Sequence, residues 1–158
     1  MADLYELLLA LDLRDSVSDA DIAELRWHLG LGAEPEDLGI ITVCPEVRED
    51  DSGEPFVEER RPEPLLTGSG PAWKIGGALV SVLTPPATDS PGTWALTVRQ
   101  EIHPDEFDLL GELLGWLAAH ADDRHRSADG AVRVGWTRFY EADRFDPLVV
   151  QDDEVRWP

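Results

Sequence analysis

Cys44 is the only cysteine in the chain. Its isolation excludes an intrachain disulfide and a thiolate metal cluster. Lysine is nearly missing as well. Lys74 stands alone, the other twelve basic residues are arginine, and asparagine does not occur. That bias fits codon usage in a G+C-rich bacterial genome, so arginine content by itself argues no function. Long apolar runs are also lacking. Leu7 to Ala10 is far too short for a signal core or a membrane span, and no basic stretch precedes it, so the expectation is a cytoplasmic protein. Positive charge is scarce, with 13 basic against 33 acidic residues and a net charge of −20. Duplex nucleic acid and anionic lipid would repel such a chain unless its basic residues were segregated, and they are scattered. Neither is expected as a partner. The charge favours a basic protein partner, with solubility as the plainer explanation.

What is present is enough for one domain, residues 1–158. At 42% hydrophobic residues, a chain of this length can bury roughly 70% of its unfolded surface without staples. The sequence also matches itself. Ala10-Leu11-Asp12-Leu13-Arg14 recurs as Ala95-Leu96-Thr97-Val98-Arg99, and the register continues. Val17-Ser18 precedes Ile22 as Ile102-His103 precedes Phe107. In the first unit, Tyr5, Leu7, Leu9, Leu11 and Leu13 alternate as one face of a strand. Ser18 and Asp21 then form a capping-box-like pair, Ile22, Leu25 and Leu29 make a helical stripe, and Gly30 stops it. In the second unit Trp94, Leu96 and Val98 share a strand face. Pro104 suits a first helical turn, and Phe107, Leu110, Leu113, Leu114 and Leu117 recur at helical spacing.

Each unit is followed by another strand-like run, 78–83 and 132–140. The order βαββαβ resembles ferredoxin-like domains, including those that dimerise through their sheets as α+β barrels. The resemblance implies an antiparallel sheet in the order 4-1-3-2 with both helices on one face. It implies no reaction, because that fold hosts enzymes, sensors and binding modules alike. Between the first helix and its strand lies an insert of about 40 residues, 33–72, too long for a structureless loop. A hairpin is expected within it, from Ile40 to Val47 and Pro55 to Glu59, around Asp51-Ser52-Gly53. A small closing hairpin is expected at the C-terminus, 147–150 with 154–157.

The second sheet face is the candidate functional surface. The pattern assigns it Leu8, Ala10, Asp12, Thr93, Ala95, Thr97, Arg99, Gly135, Thr137 and Phe139. It is too apolar to stand bare, so the insert, a second subunit in a sheet-to-sheet homodimer, or a small ligand would cover it. Asp12, Trp73, Thr97, Arg99 and His103 are the candidate ligand-binding residues. Against that role, Arg99 is placed for a cross-strand ion pair with Glu6, worth ~0.2–1 kcal/mol. Trp94, Trp116 and Trp136 read as core, and Trp73 as a pin for the insert. No metal is expected. The spacing from His120 to His125 matches no standard site, and the carboxylates of 49–54 lack the spacing of a calcium loop. Gly68 to Gly70 and Gly76-Gly77 lack the Gly-Lys-Ser/Thr of a phosphate loop, and no cofactor is expected.

No catalytic residue stands out, which leaves enzymatic activity undecided. The expectation is a non-catalytic acidic interaction protein using the open sheet face and the insert. The alternatives are a small cofactor-independent enzyme or ligand sensor of the dimeric α+β-barrel type, and an acidic immunity or inhibitor protein for a basic partner.

Overall fold

A computed structural model describes residues 3–89 and 92–157. In chain order its elements are β1 (Tyr5–Arg14), α1 (Asp19–His28), β2 (Cys44–Glu49), β3 (Pro55–Arg60), β4 (Gly70–Pro71), β5 (Ala78–Thr84), β6 (Thr93–Ile102), α2 (Phe107–His120), β7 (Val132–Phe139), β8 (Asp146–Gln151) and β9 (Glu154–Val155). Alternation in β1 places Leu7, Leu9, Leu11 and Leu13 on one side, all essentially inaccessible. β6 lies antiparallel beside it, with Leu9 opposite Val98 and Leu11 opposite Leu96. Against this face pack Ile22 and Leu25 of α1 and Leu110, Leu113, Leu114 and Leu117 of α2. The helix signals act locally. The Ser18 hydroxyl accepts from the Asp21 N–H at 3.2 Å, and Gly30 takes φ +72° just past α1. The His103 ring accepts from the Asp105 N–H, while the Glu106 carboxylate accepts from the His103 N–H.

The sheet has seven strands in the order β4-β5-β6-β1-β7-β8-β9, and every pairing is antiparallel. A separate two-stranded sheet holds β2 and β3. The fold is therefore not the expected four-stranded ferredoxin-like α+β domain. β4 extends the sheet beyond β5, and β8 and β9 extend it beyond β7. The expected C-terminal hairpin forms, with Val150 opposite Val155 and Gln151 opposite Glu154, but its first strand is built into the main sheet beside β7. Leu148 and Val150 pair with Gly135 and Val132, and both are buried. A free hairpin cannot bury such side chains. The exposed edge of β7 offers them both backbone partners and a core.

A β-bulge corrects a second expectation. The register of β7 against β8 shifts between Arg133 and Gly135. Val134 and Gly135 are both buried in succession, so each residue after them changes face. Trp136 and Arg138 point to the open side, opposite Leu8 and Glu6, whereas Thr137 is buried. Phe139 meets Tyr5 edge-on at 5.2–5.4 Å spacing typical of the Tyr5 cluster, 5.4 Å for this pair. Gly135, Thr137 and Phe139 thus leave the open face, and Trp136 leaves the core.

The insert is tied down at two points. Glu24, on α1 and almost fully buried, accepts N–H bonds from Gly39, Ile40 and Ile41 at 2.5, 2.9 and 3.0 Å. Three converging donors offset the cost of burying that carboxylate. Farther on, the Leu66 N–H donates to the His28 carbonyl at 2.7 Å, and Leu66 itself is buried. Ile40 and Ile41 belong to this anchor, which is why the first hairpin strand starts only at Cys44.

Candidate functional site

Glu6 sits near one end of the open side of the sheet, on the strand β1 that lies between β6 and β7. Its carboxylate is 5% exposed, and it accepts from Arg99 Nε at 2.8 Å and Arg138 Nε at 2.6 Å. The three side chains come from the adjacent strands β6, β1 and β7. Each guanidinium also donates to backbone carbonyls: Arg99 to Gly76 and Ala78 at 2.8 and 3.0 Å, Arg138 to Ala142 at 2.9 Å. Such saturation fixes the arginines in place. The neighbouring Glu101 accepts from the backbone N–H groups of Trp73 and Lys74 at 2.6 and 2.7 Å. Residues 72–77 therefore form a strap across this end of the face, turned by Gly76 and Gly77 with φ +78° and +69°. The strap is held through its backbone. The Trp73 side chain stays 73% exposed, with the Lys74 ammonium 5.0 Å from its ring.

Asp12 lies at the other end of the same face. His125 Nε2 stands 3.0 Å from its carboxylate and 2.9 Å from its backbone N. Arg124 reaches the same carboxylate at 3.5 Å and binds Asp122 at 2.9 Å. The Arg124 backbone N–H and guanidinium hold the Asp122 carboxyl below its ordinary pKa. His120 turns away and bonds the Trp116 carbonyl, so the two histidines of this stretch serve different partners.

The five sequence-selected residues do not converge. Asp12 pairs in register with Ala95, and Arg99 with Leu8, four positions along the strand. That separation is about 13 Å at strand rise. Thr97 is exposed between them, opposite Ala10 and Val82. His103 caps the turn into α2, and Trp73 lies on the strap. Between the strap and Asp12 the face is bare, with Ala10, Val82, Ala95 and Thr97 all exposed.

A different exposed surface is the β2–β3 hairpin. Val47 and Val57 are directly opposite each other and 71% and 64% exposed. The reverse side carries a charge ladder, with Arg48 on Glu58 at 2.8 Å and Arg60 on Glu46 at 2.7 Å. The Arg60 hydrogen bond lowers the pKa of Glu46 and raises that of Arg60. At the tip, the Asp50 carboxylate accepts from Ser52 and from the Glu54 N–H at 3.0 Å, the work of a turn-forming side chain. The hairpin base borders the α2 end of the molecule through a cleft of about 350 Å³ that includes Cys44, Arg61, Glu106 and Leu109. It does not cover the open sheet face.

Glu6 and Arg138 escaped the sequence reading as a pair, because only the bulge brings Arg138 to the open side. The Glu6–Arg99 half was legible from register. Among the described residues no helix is long and apolar enough to cross a membrane. Comparison with known proteins finds no match, whether to a family model, a curated protein sequence or a solved structure.

Proposed function

We propose that this chain is a non-catalytic interaction protein that captures a basic protein partner on its β2–β3 hairpin, with the bare strip of the open sheet face as a second contact surface. The observation that carries the reading is the exposed Val47–Val57 pair. A two-stranded hairpin is marginal alone, and an apolar pair of this size left in water marks a contact site. Charge selects the partner. Residues 44–61 hold seven acidic side chains against three arginines, within a chain of net charge −20. A partner with an apolar patch ringed by Lys or Arg would match both features, and attraction of this kind speeds encounter. An inhibitor or immunity protein for a basic target is one form of the same reading.

A photo-crosslinking residue placed at Val47 tests it. The expected product joins the chain to one basic protein, weakens with salt, and disappears in the Val57→Asp variant, while a change at the exposed Leu31, outside both surfaces, Leu31→Asp, leaves it intact. Crosslinks only between copies of the chain would replace the reading with a homodimer. An adduct insensitive to Val57→Asp would defeat it.

A further inference from the structure

Charge thins out in one part of the chain. Residues 64–88 contain a single charged side chain, Lys74, in a sequence that is 29% charged. This stretch builds one margin of the main sheet, β4 and β5. The other margin, β9, is flanked by Asp152, Asp153 and Arg156, and both strands of the β2–β3 hairpin carry glutamate and arginine. We propose that the uncharged β5 edge pairs with the β5 edge of a second copy of this chain, antiparallel about Val82, and joins two sheets into one. The inference is independent of the hairpin reading, because it uses a different strand and a different partner.

The edge is open for most of its length. β4 faces β5 only where Gly70 meets Leu79 and Pro71 meets Ala78, whereas β6 faces it as far as Thr84. The Ala72 N–H donates to the Gly77 carbonyl at 2.8 Å. Bonding residues alternate along an antiparallel ladder, so Gly77, Leu79, Ser81 and Leu83 turn their N–H and C=O groups away from β6. Gly70 stands opposite Leu79, but among the described residues no strand faces Ser81 or Leu83 on that side. The returning insert passes on the helix side instead. There the Ser81 hydroxyl donates to the Leu66 carbonyl at 3.2 Å, and the Gln100 amide bonds the Gly68 backbone at 2.8 and 2.9 Å. Unpaired edges are ordinarily guarded by charge. β5 carries none, and Pro85 and Pro86 do no more than end it.

The donors that face outward set the register. A two-fold axis at Val82 puts Ser81 of one copy opposite Leu83 of the other, and the reverse. Both are bonding pairs, so each exchanges two backbone hydrogen bonds, and Val82 meets Val82 between them. Val80 then faces Thr84. Val80 and Val82 are 41% and 50% exposed, and the pairing brings the valines of the two copies together on the open side. Charge favours a second copy over a basic partner. Residues 75–88 hold no carboxylate to attract a lysine-rich strand. Two uncharged edges, by contrast, let two chains of net charge −20 meet with no carboxylate on either pairing strand. Screening confines the repulsion between the remaining charges to about 8 Å at physiological salt.

Sedimentation velocity from micromolar to millimolar concentration tests the proposal. The expected result is a reversible dimer that strengthens as salt is added, the opposite of the adduct expected at the hairpin. Val82→Lys should weaken it at least tenfold, and Val47→Asp should leave it unchanged. Single cysteines in a Cys44→Ser background report the register. Val82→Cys is expected to oxidise to a disulfide-linked dimer, because facing residues of a non-hydrogen-bonded pair stand about 4.5 Å apart at Cα. Thr84→Cys is expected to stay unlinked under the same oxidant. A parent that is monomeric throughout, a dimer that survives Val82→Lys or is lost in Val47→Asp, or equal linking at both cysteine positions would overturn the proposal.

Discussion

Gly135 lies directly against the Leu8 carbonyl: a Cβ on Gly135 would sit 1.9 Å from that oxygen. No side chain fits there. The contact belongs to the pairing of β7 with β1, and it lets the bulged strand stay close enough to bond on both sides. Gly135→Ala must force β7 away from β1. The expected loss is about 3 kcal/mol or more in urea denaturation, at the upper end of overpacking costs. A variant as stable as the parent would show that β7 runs in a different register.

Glu6 is the second place where one residue holds three strands. Glu6→Gln keeps the size of the side chain but leaves Arg99 and Arg138 facing each other without the shared carboxylate. Both guanidiniums are largely buried, so the expected cost is about 3 kcal/mol. Arg61→Gln, which breaks the exposed pair with Glu34, should cost far less. Equal losses from the two changes, read from the same urea curves, would deny Glu6 its central role.

His28 sets a pH dependence. Burial pushes its pKa below the ordinary 6.5, and the opposing pull of the Glu24 carboxylate 3.5 Å away does not cancel the shift. The unfolded chain therefore binds a proton at a pH where the folded chain keeps the ring neutral. Stability from this group is complete above pH 6.5 and declines as the pH falls through that value. Asp122 and Asp129, whose pKa values are lowered from 3.8, act in a separate window below that figure. His28→Leu should flatten the melting temperature between about pH 7 and about pH 5 relative to the parent. Parallel curves for the two proteins would mean that His28 does not titrate across folding.

Much of the local structure could be read directly. Leu7, Leu9, Leu11 and Leu13 state their face by alternation alone, and Ser18, Gly30 and Pro104 mark helix ends by backbone chemistry. The matched segments around Leu11 and Leu96 do lie side by side. The sheet's full width was not legible, because β4 and β9 are two residues long and carry no periodicity. Edge strands of that size exist only where a neighbouring strand offers free N–H and C=O groups. Counting faces in β7 failed for a related reason. A period of two assumes an unbroken ladder, and one extra residue reverses everything after it.

The same division applies to the candidate sites. Composition alone set the acidic character of the chain, and alternation alone set which face of its own strand Glu6 and Arg99 each occupy. Tertiary structure decided that Arg138 joins them, that Trp136 faces outward, and that the hairpin stands apart with Val47 and Val57 in water. Local patterns report which side of its own element a residue occupies. Only packing between distant segments reports what, if anything, lies on that side.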